Sequence, residues 1–348
     1  MFRFFANLFK GTKAAPIEDD LAAIQRQQTI HLLARETIEA GELFSRYPPQ
    51  VSHAKKQLLF DVGLARGLHG SLTISRYGEV PLPNVYLPYT PTTEIVGRKG
   101  YFKYSADSTS EDWFMNFAHH DAFHGYGHFM FAQDEIQVAE HPALACAREM
   151  MLTRTDKLQP KTAEGNSPTP LLIRSVERTM RVDTRAIYGA RFARADESTI
   201  RESLHAIDPP TRSNIVAIEA PIGTGNRTYT CAEVEAALRT AFSGFRAVVL
   251  ESRAGRTSNK PIVLHTGNWG CGAYGGNRQL MISVQIMAAA LAGISQAIFY
   301  CGPDDIETIV AFESELLRRF GFRPGVAIDR VLDRLTAASF PWSSPDGN

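Results

Sequence analysis

The sequence predicts an α/β layer fold, and three observations carry that prediction. Short apolar runs at 214–220, 246–250, 261–266 and 296–301 read as strands. Segments with helical spacing near 142–153, 231–242, 277–292 and 304–320 alternate with them, as in domains that stack helices on a sheet. A glycine-rich stretch, TGNWGCGAYGG at 266–276, falls where the third of those strands gives way to a helix.

The start, MFRFFANLFKGTK, is basic and aromatic but too short for a signal peptide with a cleavage site. It reads as a terminal tail over 1–16, with a membrane-surface or docking segment as the alternatives. A helix follows from about Glu18 to Ala40, where Leu21, Ile24, Ile30, Leu33 and Ile38 form an apolar stripe. Prolines at 48, 49, 81, 83, 88 and 91 then mark a loop-rich stretch. Residues 17–95 are therefore expected to form a helical, loop-rich extension, and 96–338 the ligand-binding domain. The polar segment 156–170 reads as a surface loop, and 339–348, rich in Pro, Ser and Gly, as a disordered tail.

Composition narrows the class. With 348 residues, 44% of them hydrophobic, the chain can bury a sizeable core. Lys plus Arg equals Asp plus Glu at 37 each, so no net field recruits nucleic acid or a membrane. An anionic substrate would have to be held by local donors. Four cysteines, at 146, 231, 271 and 301, form no CxxC pair, and reduced thiols are expected. No stretch is long and apolar enough to span a bilayer. A soluble intracellular protein is the expectation.

The five glycines of 266–276 carry chemistry. Glycine permits positive φ and lets the backbone approach a ligand closely. Such a loop aims several N–H groups at one anion, and the following helix N-terminus adds partial positive charge. Asn268, Trp269 and Tyr274 interleave the glycines with a polar handle and two flat surfaces. A phosphate-bearing ligand fits these features better than a structural turn. The loop is no P-loop, since Asn277 and Arg278 follow Gly276. Gly270-x-Gly272-x-x-Gly275 matches a dinucleotide pattern but lies late in the chain, outside a first βαβ unit. Cys271 reads as a small packing residue.

Upstream, NFAHHDAFHGYGHFMFAQDEI (116–136) gathers four histidines and two adjacent acids. Phe129 to Ala132 is a short apolar run that reads as a strand end. Neighbours on a strand face opposite ways, so Asp134 and Glu135 would not flank one bond as an opposed pair. One can face a ligand while the other anchors the loop; a solvated acidic pair is the alternative. His120, His124 and His128 have the i, i+4, i+8 spacing of a metal-binding helix face, but Gly125 and Gly127 argue against a continuous helix. No metal is expected.

The glycine loop and its continuation NRQLMISVQIMAAALAG resemble the C-terminal ligand loop and helix of poly(ADP-ribose) glycohydrolases, a branch of the macrodomain fold. Residues 116–145 resemble, with departures, that family's Asp-Phe-Ala-Asn, triple-glycine and Gln-Glu-Glu-Ile region. NIVAIEAPI (214–222) and AEVEAALRTAFSGF (232–245) are similar to the connecting strand and helix. The resemblance spans about 96–325. It implies a three-layer α/β/α macrodomain with a mixed central sheet, here preceded by the helical N-terminal extension.

The resemblance also implies roles. Glu135 keeps the family's catalytic glutamate, and Asp134 replaces its first glutamate. Gln133 keeps the glutamine. Asn116 replaces an aspartate, and His119 replaces the asparagine that contacts the distal ribose. Phe123, His124 and Gly125 stand for the three glycines. Tyr188 resembles the tyrosine that leans over bound ADP-ribose, with a core aromatic as the alternative. Asn268, Gly270, Gly272, Ala273, Tyr274 and Gly275 correspond to the diphosphate loop, Tyr274 taking a phenylalanine position. The implied activity is release of ADP-ribose from poly- or mono-ADP-ribosylated protein, with neither metal nor other cofactor. A mono-ADP-ribosyl-protein hydrolase, arginine-linked substrates included, and a non-catalytic ADP-ribose reader are the alternatives.

Overall fold

A computed structural model of the protein describes residues 21–89, 91–104, 109–223, 225, 227–253, 259–302 and 306–345. The expected tail 1–16, and the last three residues of the expected tail 339–348, lie outside the described residues.

In chain order the first half contains α1 (Leu21–His31), β1 (Leu32–Glu39), α2 (Ala40–Arg46), α3 (Ala54–Gly63), β2 (Ser71–Tyr77), β3 (Glu94–Lys99), β4 (Glu111–Ala118), α4 (Gln133–Glu140) and α5 (Ala143–Leu152). A short ladder of β5 (Ala163–Glu164) and β6 (Ser167–Pro168) leads to β7 (Leu171–Val182). Three short helices follow: α6 (Thr184–Ile187), α7 (Ala190–Arg194) and α8 (Glu197–Glu202). The chain then runs through β8 (Leu204–Glu219), α9 (Cys231–Arg253), β9 (Ile262–Gly267), α10 (Arg278–Ala292), β10 (Gln296–Cys301), α11 (Ile306–Arg318) and α12 (Ile328–Ala337).

Eight strands form one mixed sheet in the order β1-β2-β7-β8-β4-β9-β10-β3. The pairs from β1 to β8 are antiparallel, and those from β8 through β4, β9 and β10 to β3 are parallel. Alternate residues serve opposite faces, as the pleat requires. Trp113 and Met115 of β4 join the core under α9, α10 and α12, whereas Phe114 and Ala118 join the core under α2 and α5. This is the three-layer α/β/α macrodomain arrangement.

Two expected elements change identity. Residues 246–250 are not a strand. They lie within the 23-residue helix α9, where Ala247, Val248, Val249 and Leu250 are all buried. A helix covered all round shows no polar stripe, so its apolar run imitates a buried strand. The helix expected from Glu18 to Ala40 stops at His31, and Leu32–Glu39 instead pairs antiparallel with β2 at the sheet edge.

Candidate active site

The parallel strands β8, β4 and β9 end side by side, and the crevice beyond the carboxyl ends of parallel strands is where α/β sheets hold ligands. Three loops meet there. Ala220 N donates to Ala118 O (2.9 Å), joining the loops after β8 and β4. Gly223 N donates to Tyr274 O (2.9 Å), joining the loops after β8 and β9.

The glycine loop has its conformation built in. Gly270 and Gly275 hold φ of 70° and 65°, in the left-handed region that a side chain disfavours. Gly276 N donates to Gly270 O (2.8 Å), closing the turn, and Asn277 caps α10 by accepting from Leu280 N (3.1 Å). Among the described residues, the consecutive N–H groups of Gly272, Ala273 and Tyr274 donate to no backbone acceptor. Ala273 is exposed and its two neighbours are half-buried. Asn268 is half-buried, and its Oδ1 finds no hydrogen-bond partner among the described residues.

The acids stand at the first turn of α4, not at a strand end. Residues 129–132 form irregular backbone, and Gln133 opens the helix. The expectation that Asp134 and Glu135 face opposite ways on a strand is therefore replaced: on a helix, neighbours diverge by about 100°. Asp134 turns inward, where Asn116 Nδ2 donates to its Oδ1 (2.9 Å). Glu135 turns back along the entering chain, and its Oε2 accepts from Ala132 N (2.8 Å). Both are buried, at 9% and 6% exposure. Burial, and after it the charge of Glu135, raises Asp134 above the usual carboxylate range, against the pull of Asn116, Lys56 and Arg148.

Gln133 is placed as a clamp. Its Oε1 accepts from Phe117 N (2.8 Å) and its Nε2 donates to Met115 O (3.0 Å), so both ends of the amide hold α4 against β4. Gly125 lies against the catalytic candidate: a β-carbon there would stand 2.2 Å from Glu135 Oε1. Phe123 is buried with φ of 60°, a left-handed conformation that costs a non-glycine residue about 1–2 kcal/mol.

The four histidines form a row rather than a helix face. His119 lies tilted against His120 at 3.8 Å between centroids, His124 lies 5.9 Å from His119, and His128 lies 5.7 Å from His124. His119 is half-buried, and burial followed by the neighbouring imidazoles lowers its pKa. Arg148 holds the base of this loop through two bonds to Asp121 (3.0 and 2.9 Å). Among the described residues, no three His, Cys, Asp or Glu side chains converge as a metal site.

Tyr274 joins the two halves. Its hydroxyl is pushed up to about 12, first by burial and then by the charges of Asp134, Glu135 and Glu219. The tyrosine of the late loop thus stands within electrostatic reach of the acids of the early one. Tyr188 is half-buried beside α6 and packs against the cluster that contains Phe131 and Phe192. Gly189 N, next to it, donates to Phe131 O (2.8 Å).

Sequence reasoning missed several contributors. Lys56 of α3 is wholly buried and donates to Tyr126 O in the loop before the acids, yet it stands in a lysine pair with no motif around it. Tyr101 donates to Gln133 O (3.2 Å). Residues 339–345, expected as part of a disordered tail, carry buried Phe340 and Trp342. Trp342 stacks on Tyr229 at 3.8 Å, and Ser343 N donates to Gly275 O (2.7 Å). The one available signal was an aromatic pair, Phe340 and Trp342, in an otherwise polar tail.

A family model described as poly(ADP-ribose) glycohydrolase (PARG), Macro domain fold, matches residues 125–308. Among solved structures, the chain is similar to a poly(ADP-ribose) glycohydrolase from Thermomonospora curvata, at 14% identity over 86% of this chain and 89% of that one, with a TM-score of 0.39. It is similar also to a poly(ADP-ribose) glycohydrolase from Deinococcus radiodurans in complex with ADP-ribose, at 12% identity over 86% of this chain and 97% of that one, with a TM-score of 0.39. Among the described residues, no helix is long and apolar enough to cross a membrane.

Proposed function

The chain belongs to the poly(ADP-ribose) glycohydrolase family of glycosidic hydrolases, the family model covering more than half of it, and we propose that it releases ADP-ribose from poly- or mono-ADP-ribosylated protein, with Glu135 as the catalytic acid. The observation that carries this reading is the joining of the loops after β4, β8 and β9 through Ala220 N–Ala118 O and Gly223 N–Tyr274 O, with Gln133 holding the start of α4 against β4, so that the glycine loop and the carboxyls lie at the same ends of the parallel strands.

In this reading the diphosphate sits on the N–H groups of Gly272, Ala273 and Tyr274, and Asn268 contributes a polar contact. Gly270 and Gly275 hold the turn open. Tyr274 and Tyr188 frame the nucleoside or the ribose with flat surfaces. The distal ribose then lies toward the start of α4, near His119 and Gly125. Cleavage at its anomeric carbon passes through an oxocarbenium-like state and needs a proton on the departing atom or an activated water. Glu135 Oε2 is held by Ala132 N, which fixes the carboxyl for either task. Asp134, tied to Asn116, sets the pitch of the helix turn and takes up a proton more readily than an ordinary aspartate.

Glu135→Gln tests the assignment. Release of ADP-ribose from modified protein should fall by about 10²–10⁴-fold, the usual worth of a positioned acid or base. Calorimetric affinity for free ADP-ribose should change little. Unaltered release in the variant would remove Glu135 from the mechanism. Binding without turnover by the native chain, on polymer and mono-modified protein alike, would make the protein an ADP-ribose reader.

A further inference from the structure

We propose that Lys56 is a positioning residue for the acid pair: its buried ammonium locks the loop that presses Gly125 on Glu135 and balances the charge that Asp134 and Glu135 bring into the core. This rests on the proposed role of Glu135, but the two stand or fall separately in the test below.

Lys56 lies in α3, far from the acids in sequence, and its side chain is 0% exposed. Lysine is almost never fully buried without a reason, because an ammonium loses its hydration there. Its Nζ donates to Tyr126 O (3.1 Å), one residue beyond Gly125. The same ammonium stands 4.9 Å from the Phe131 ring centroid and 5.8 Å from that of Phe192, a cation–π cradle that excludes water. Tyr126 and Phe131 bracket the turn 127–130, so one side chain grips the loop at both ends.

The acidic charges that act on Lys56 come from α4. Glu135 and Asp134 of α4 are the groups that hold the Lys56 proton on, against burial, which pushes it down to about 8. On its own helix, Lys56 and Lys55 both lower His53. Lys55 is turned away, donating to the carbonyls of Ala193 and Ala195 (2.7 Å each). From α5, Arg148 also acts on Asp134. Tyr126 offers Lys56 its carbonyl, while its hydroxyl donates to Glu149 Oε1 (2.7 Å). A cation that must be buried is thus set where two buried carboxyls need one.

The test uses the full chain with 13C-labelled Asp and Glu carboxyls. In Lys56→Met, whose side chain fills the same space, the Asp134 carboxyl should titrate higher by about one pH unit, because an adjacent cation favours the carboxylate. The rate constant kcat for ADP-ribose release near neutral pH should fall at least about ten-fold, with KM changed less than about two-fold. Lys56→Arg should return the titration toward native. The Tm of Lys56→Met should fall, since removing one partner leaves the buried carboxyls without their compensating charge. A falling Tm with an unmoved titration would make Lys56 a structural residue and overturn the proposal. Should Lys56→Met fail to fold, the native chain still decides. Its Asp134 resonance must shift a second time near pH 8 as Lys56 loses its proton, and a flat response sinks the idea. Titration shifts without any native turnover would reject Glu135 as catalyst and keep Lys56 as its charge partner.

Discussion

Gly125 has no side chain where a β-carbon would come within 2.2 Å of Glu135 Oε1. The approach is made against a carboxyl whose other oxygen is already tied to Ala132 N, so the acid cannot swing aside without breaking that bond. Close backbone approach, rather than positive φ, is what calls for glycine here.

Gly125→Ala should therefore act as an activity mutation. The added methyl must displace either the carboxyl or the loop, and a displacement near 1 Å costs about 10²-fold in rate. Single-turnover release of ADP-ribose checks this, with calorimetry on free ADP-ribose expected to show a smaller change.

Tyr274 divides into a ring and a hydroxyl. Tyr274→Phe keeps the flat surface and should weaken ADP-ribose binding by less than about ten-fold, whereas Tyr274→Ala loses the surface and should weaken it further. Equal losses in the two variants would assign the effect to the hydroxyl, which feels the charges of Asp134 and Glu135.

The C-terminal segment braces the ligand loop. Trp342 is buried, stacks on Tyr229, and precedes the bond from Ser343 N to Gly275 O. Trp342→Ala should cost about 3–5 kcal/mol by urea unfolding and should weaken ADP-ribose binding through the loosened turn. Loss of stability with unchanged affinity would show the brace to be purely structural.

His141 predicts acid sensitivity. It is wholly buried, with Nδ1 2.9 Å from Gln137 O and Nε2 3.0 Å from Ser213 Oγ, an arrangement that suits neutral imidazole. Burial first, then Arg178, lowers it to about 3 from 6.5. Below pH 6.5 the unfolded chain gains a proton that the folded chain refuses, so stability falls with pH down to about 3, by at most about 1.4 kcal/mol per unit. Asp134 and Glu140 are raised and act in the opposite sense. The measurement is therefore the difference between native chain and His141→Gln: the native chain should lose stability relative to the variant, by urea unfolding, as pH falls from about 6.5 to about 4.

Much of the site was legible because its chemistry is local. TGNWGCGAYGG needs only its own glycines to form a turn with open N–H groups, and its strand and helix lie on either side. Gln133 was legible as the glutamine the family keeps, and the bond it accepts from Phe117 N gives that residue its physical meaning. The helix at 133 was hidden: an apolar Phe129–Ala132 precedes it, and Glu135 itself supplies the bond to the entering chain that a Ser or Asp cap would have advertised. Residues 246–250 were misread because a short apolar run carries no period of its own.

The order of residues by itself determined the layered α/β class, the glycine turn and the presence of an acid pair, since each depends on neighbours within a few positions. Only the tertiary structure decided that Leu32–Glu39 is an edge strand, that Lys56 is buried against Tyr126 O and the Phe131 ring in the loop before Asp134 and Glu135, and that Trp342 supports the late loop. Each of those joins segments distant along the chain, and a buried charge or a strand edge finds its partner only when the chain folds back on itself.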